Sequence, residues 1–271
     1  MTINSYLTGI ANNAILRDQV KLGIQRSVAT LNTRLQEYFG AEISRSLVFG
    51  SHSRGTILPP RLDPYADVDL MVVFADGSYR PQTYLDRLRR FTEYRYSRSE
   101  IAQSSPTIVL SLNHIRFELV PATESWLSGL QIPAPASDSR DWIETDPTGF
   151  NEKLTKTNQS HGNLIKPLIR VMKYWNAKAG YPYESYGLEQ AVVDNGFLFL
   201  GLLSSGQQIK DYFFAFIEDL NAGWGEPQSK QNAVNRLKQI AAQAKALEAG
   251  GNVAAAESVI ARALPPLGLL A

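Results

Sequence analysis

The chain has 271 residues, 44% hydrophobic and 20% charged, the make-up of an ordinary globular protein rather than a disordered or fibrous one. Its 27 Lys and Arg against 26 Asp and Glu leave a formal net charge of +1, which argues against stable binding of long nucleic acid through many phosphates. It has no cysteine, so disulfides, thiolate chemistry and Cys-ligated zinc are excluded. No basic stretch followed by an apolar core opens the chain, and no apolar run approaches the ~20 residues of a membrane span, so the expected location is the cytoplasm, with no membrane partner.

Apolar residues at helical spacing (Ile15, Val20, Leu22, Ile24, Val28, Leu31, Leu35) predict one long N-terminal helix over residues 13–39, ended by Gly40. A short strand over 46–49, a helical turn over 51–57 and a Pro-rich loop over 57–66 follow. A second apolar strand spans 68–74, a charged helix 82–98, and two more strands 107–112 and 115–120. From residue 138 the character changes to helices, over 163–178, 185–194, 208–220, 230–248 and 253–263, with a Gly250-Gly251 turn before the last. The expected fold is α+β: a catalytic lobe over 1–137 with a mixed sheet and the long N-terminal helix, a helical lobe over 138–271, and an active site in the cleft between.

The chemistry is concentrated in LVFGSHSRGTILPPRLDPYADVDLMVVF. A strand runs into Gly50-Ser51, where backbone amides and the Ser51 hydroxyl can surround a triphosphate and Gly50 permits close backbone approach. Taken alone, this pair reads better as an ordinary turn. Asp67 and Asp69 are two apart on a strand, so their carboxylates share a face and repel unless a cation binds between them. The competing reading has Asp67 capping a turn and Asp69 paired with Arg54 or Arg61. In IRFELVPA, Arg116, Glu118 and Val120 share a face, so Glu118 can project from a neighbouring strand toward the Asp pair. Three carboxylates with phosphate oxygens and water make an oxygen cage for two Mg²⁺ or Mn²⁺ ions, and such a pair serves nucleotidyl transfer.

Gly50-Ser51, Arg54-Gly55-Thr56, Asp67-Val68-Asp69 and Phe117-Glu118-Leu119-Val120-Pro121-Ala122 resemble the motifs of polymerase-β-type nucleotidyltransferases. The Gly-Thr after Gly-Ser, the Pro-containing insert before the acids and the Val-Pro-Ala after the third are similar to the oligoadenylate synthetase and cyclic GMP-AMP synthase branch, in particular to the bacterial CD-NTases. IRVMKYWNAKAGYPYESYGLEQAV resembles that branch's donor-binding segment. The resemblance implies that Lys173 neutralises phosphate charge, Ser185 donates a hydrogen bond and Tyr186 stacks on a base. A solvated lysine and ordinary helix packing of Tyr186 and Trp175 are the competing readings. One departure stands out: this branch most often has Asp where Glu118 stands.

The resemblance implies a cyclic di- or trinucleotide product made from nucleoside triphosphates, ATP among them, with pyrophosphate released. It further implies a second messenger for a separate effector, commonly in anti-phage defence, and in some members conjugation through the C-terminus, here Ala271. Two alternatives stand beside it: nucleotidyl transfer onto a tRNA end or protein, and a catalytically silent nucleotide sensor. FGSHSRG lacks the Gly-x-Ser-x-Gly spacing of a nucleophile elbow, and His52, His114 and His161 are isolated, without an HExxH pattern. Arg87, Arg89, Arg90, Arg95 and Arg98 give the charged helix a positive side, read as a solvated face with RNA or a partner as the alternative.

Overall fold

The structure, a computed structural model, describes residues 1–104, 106–113, 115–125, 129–135, 138–197, 200 and 206–267. In chain order the first elements are helices α1 (Ile3–Asn13) and α2 (Asp18–Phe39), strand β1 (Ile43–Phe49), the short helix α3 (Gly50–Arg54) and strand β2 (Asp67–Phe74). Helix α4 (Pro81–Arg95) leads to β3 (Glu100–Ser104), β4 (Thr107–Leu112), β5 (Ile115–Ser125), β6 (Gly129–Pro133) and β7 (Trp142–Thr145). The helices that follow are α5 (Pro147–Ser160), α6 (Ile165–Lys178), α7 (Ser185–Asp194), α8 (Ile209–Asp219), α9 (Gln228–Ala249) and α10 (Val253–Ile260). The class is α+β, as expected. Among the described residues no helix is long and apolar enough to cross a membrane.

Two compact units result. One comprises Leu16–Ile57 with Tyr65–Asn151, the other Met1–Ile15, Leu58–Pro64 and Glu152–Ala271. This division does not follow the single cut expected after residue 137, and two features explain why. The hairpin β6–β7 continues the sheet past that point, because β6 pairs with the far end of β5 and β7 pairs with β6. The expected long N-terminal helix is α2, which starts at Asp18, and a further helix ahead of it, α1, belongs with the helical unit.

In the sheet unit the strand order is β1-β2-β5-β4-β3, with β2 and β5 parallel and the other pairs antiparallel. Alternation fixes which side chains go where. Val68, Leu70, Val72 and Phe74 of β2 join Phe117 and Leu119 of β5 in one core with Ile24, Leu31 and Leu35 of α2 and Leu85, Leu88 and Phe91 of α4. The opposite face holds a smaller cluster, Met71, Val73 and Ala122, packed by Leu47 and Phe49. Asp67 and Asp69 have the same parity as Met71 and Val73, so they lie on this second face at the start of β2.

In the helical unit, α1 buries Ile3, Tyr6, Leu7, Ile10 and Ala11, a stripe at helical spacing, and Thr2 caps it by accepting from the Ser5 amide at 3.1 Å. Tyr6 Oη donates to the Leu264 carbonyl at 2.6 Å, and Arg170 Nε of α6 donates to the Ala11 carbonyl at 3.0 Å. These bonds tie the first residues of the chain to elements more than 150 positions away. The apolar tail LPPLGLLA also begins here, since Tyr174 Oη donates to the Pro265 carbonyl at 2.9 Å. Its last four residues, and with them the proposed conjugation at Ala271, lie outside the described residues.

Candidate active site

The parallel register of β2 and β5 sets Asp67 beside Arg116 and Asp69 beside Glu118. Neighbours in register project to the same face, so Asp67, Asp69, Arg116 and Glu118 form one polar patch on the smaller-cluster side. Asp67 is thus the first residue of a strand and not a turn cap. Arg61, one of the two partners weighed for Asp69, donates instead to the Asn13 carbonyl at 2.8 Å.

The acids are crowded. Burial, then the charges of Asp69 and Glu118, push the Asp67 carboxyl up to about 8, helped by a hydrogen bond with Glu118 and opposed by Arg116. Glu118 Oε1 accepts from Arg116 Nη2 at 2.8 Å, and Thr107 Oγ1 stands 3.4 Å from its Oε2. Among the described residues no three Asp, Glu or His side chains are arranged as they stand to hold a metal ion; Glu118 is turned to the guanidinium. The donor chemistry nonetheless fits a hard divalent cation: three carboxylates share a face, and their mutual repulsion, visible in Asp67, is what such a cation relieves.

Gly50 and Ser51 open α3 directly after β1. Gly50 is buried with φ +67, and a side chain there would run into the Asp69 carboxylate. Ser51 is part-exposed, and its carbonyl accepts from the amides of Thr56 and Ile57 at 3.0 and 3.1 Å, which folds the Gly-Thr segment back over the turn. His52 has a buried Nδ1 without a hydrogen-bond partner, and burial lowers its pKa.

Lys173, Ser185 and Tyr186 belong to the helical unit. Lys173 is not solvated: it is buried on α6 and pairs at 3.0 Å with Glu189, a fully buried carboxylate on α7. Ser185 is the first residue of α7 and exposed, as is Tyr186. Trp175 is core, packed at 6.2 Å from the Tyr183 ring. The reading of residues one by one missed both Glu189 and the pairing of Arg116 with Glu118. The first has no local signal; the second was foreshadowed by the shared strand face.

The positive side of α4 is largely compensated. Arg87 pairs with Glu42, Arg89 with Glu93 and Arg95 with Glu37, so three of its arginines face acids of this chain. His161 sits in an aromatic setting beside Tyr212, while His114 lies outside the described residues.

A mixed sheet with paired acids at the start of one strand and a third acid on its parallel neighbour is an α+β nucleotidyltransferase fold. Residues 1–158 match the family model of the Second Messenger Oligonucleotide or Dinucleotide Synthetase domain. A probable cyclic nucleotide synthase of Bacillus cereus (strain VD146) is 26% identical over 274 residues, which cover 87% of this chain and 79% of that protein. Two solved structures share the fold. The Vibrio cholerae DncV cyclic AMP-GMP synthase in complex with a linear intermediate has a TM-score of 0.74 at 11% identity, over 98% of this chain and 96% of that one. The Bradyrhizobium diazoefficiens CD-NTase CdnG in complex with GTP has a TM-score of 0.66 at 11% identity, over 96% and 97%. The chain belongs to the Second Messenger Oligonucleotide or Dinucleotide Synthetase family, the nucleotidyltransferases known in bacteria as CD-NTases.

Proposed function

We propose that the protein condenses nucleoside triphosphates, ATP among them, into a cyclic di- or trinucleotide with release of pyrophosphate, and that Asp67, Asp69 and Glu118 are its catalytic acids. The register that sets Asp69 beside Glu118, with Gly50 packed on Asp69, is the observation that carries this reading. In each transfer a ribose hydroxyl oxygen bonds to the α-phosphorus of a donor while the α–β bridging bond breaks. Pyrophosphate departs with the electron pair, and the hydroxyl proton passes to solvent. A linear product keeps its 5′-triphosphate, so a last transfer onto its own hydroxyl closes the ring. The linear intermediate found in the DncV structure is in keeping with that order.

The roles within the chain follow from placement. Gly50 lets the backbone come close to the phosphates and Ser51 offers its hydroxyl and amide. Asp67, Asp69 and Glu118 would hold two Mg²⁺ or Mn²⁺ ions, which when bound supply acidity to the attacking hydroxyl and charge neutralisation to the leaving group. On the family motif, Lys173, Ser185 and Tyr186 contact the nucleotide. The product is a second messenger for a separate effector in anti-phage defence, and the enzyme works in the cytoplasm. Transfer onto RNA is disfavoured by the compensated arginines of α4.

Incubation with all four nucleoside triphosphates and Mg²⁺ or Mn²⁺ should give a phosphatase-resistant small molecule, absent from Asp69→Ala and from chelated reactions. Label appearing on tRNA or protein instead, or tight nucleotide binding with no pyrophosphate released under activating conditions, would overturn the proposal.

A further inference from the structure

Arg116 is the one member of the polar patch to which the catalytic reading gives no task. It stands on β5 two residues before Glu118, on the same face, with Asp67 as its register partner on β2. Its Nη2 holds Glu118 Oε1 at 2.8 Å, yet its Nε is buried and has no hydrogen-bond partner. A buried donor left unmade is costly, and a role in the chemistry of a site is one of the reasons native proteins keep such a group. The planar guanidinium fork matches two oxygens of a phosphate as well as it matches a carboxylate. With side chains 30% and 19% exposed, the Arg116–Glu118 pair is accessible enough to exchange partners. While it is formed, it occupies an oxygen that a divalent cation would need, and among the described residues no acidic trio is arranged for a metal as it stands.

We infer that Arg116 is a substrate-operated latch on Glu118: without nucleotide its guanidinium occupies the Glu118 Oε1 oxygen, and a triphosphate draws the guanidinium onto phosphate oxygens and frees that oxygen for a metal held beside Asp67 and Asp69. The latch rests on the reading of those three acids as metal ligands. It makes full metal loading conditional on substrate, through a positioning residue that acts on Glu118. The Glu118 side chain meets Arg116 along the strand, with Oε1 2.8 Å from Nη2.

The test is Mn²⁺ binding measured by calorimetry, with and without an ATP analogue whose α–β bridge is methylene. Nucleotide-free Arg116→Gln should bind Mn²⁺ about two- to fivefold more tightly than the parent protein, the scale of releasing one accessible ion pair. Arg116→Lys, which keeps the charge, should stay near the parent and guards against a folding artefact. After subtraction of the Mn²⁺ that the analogue itself chelates, both proteins should gain affinity from its phosphate oxygens, and the parent should gain more than Arg116→Gln. The gain from Arg116→Gln should vanish in an Glu118→Gln background. A gain that persists there is general electrostatics and overturns the latch, as does Arg116→Gln binding no more tightly than the parent. Mn²⁺ affinity indifferent to both Asp69→Asn and Glu118→Gln would overturn the ligand reading itself, a separate outcome.

Discussion

The Asp69 carboxylate fills the space that a side chain at Gly50 would need: a Cβ built on Gly50 would lie only 2.6 Å from Asp69 Cγ and closer still to Oδ2. Gly50 also has φ +67, a backbone region costly for residues with a Cβ. The glycine of the turn and the second acid of β2 are therefore a single packed arrangement. Gly50→Ala should push the carboxylate aside and lower product formation by about 100-fold, the scale reached when a reacting group is misplaced by ~1 Å. The accompanying strain, about 1 to 2 kcal/mol, should lower Tm by only a few degrees, so enzyme assay and calorimetry read the two effects separately.

Lys173 and Glu189 make a buried pair at 3.0 Å, which makes truncation of either one a stability experiment as well as a binding one. Lys173→Met leaves a fully buried carboxylate without its cation and should cost roughly 3 to 5 kcal/mol in urea unfolding. Lys173→Met with Glu189→Leu should recover much of that loss. If the double variant folds well and still shows a raised KM for nucleoside triphosphates, Lys173 contacts the nucleotide in addition to closing the pair; an unchanged KM would reduce it to a structural lysine.

Tyr186 offers a cleaner probe of the nucleotide. Tyr186 is 47% exposed at the start of α7, so Tyr186→Ala should leave Tm within about 1 °C, as expected for surface substitutions. If it stacks on a base, losing about 1 kcal/mol should raise KM about fivefold for the preferred triphosphate. Steady-state kinetics with each nucleotide in turn would show which base it meets, and no change with any of them would remove Tyr186 from the site.

His161 supplies a pH signature for the helical unit. Its Nδ1 lies 3.2 Å from Tyr212 Oη, and burial lowers its pKa below the ordinary 6.5. The unfolded chain takes up the proton at about 6.5 while the folded one resists, so below that pH the unfolded state binds more protons. The stabilisation is present above pH 6.5 and is lost as pH falls through the lowered folded value. Urea midpoints should drop between pH 7.5 and 5.5, and His161→Gln should shrink that difference; an equal drop in the variant would assign the effect to other groups.

Local pattern carried the reading where the physics is local. The acids at 67 and 69, two apart in an apolar run, had to share a face of a strand, and β4 and α7 occupy the residues that alternation and helical spacing indicated. The nucleotidyltransferase class was legible in the same way, from residues brought close by a single turn and two strands. The N-terminal region was not. Ile15 and Leu22 keep a helical rhythm yet are exposed, whereas the stripe of α1 finds its cover in residues near the other end of the chain. Strands β3, β6 and β7 are short, four or five residues each, and their place is set by pairing with neighbours.

What the sequence determined by itself is the inventory and spacing of groups: a glycine-serine turn, two acids on a strand, a third acid on another, a lysine and a serine on consecutive helices. Only the tertiary structure decided which partner each group takes. Arg116 chooses Glu118, Lys173 chooses a glutamate 16 residues on, and Asp69 takes the space beside Gly50. The reason is physical: a strand or helix follows from periodicity along the chain, but the strength of a charge pair depends on burial and on what else lies within a few ångströms, and both are set by packing between elements.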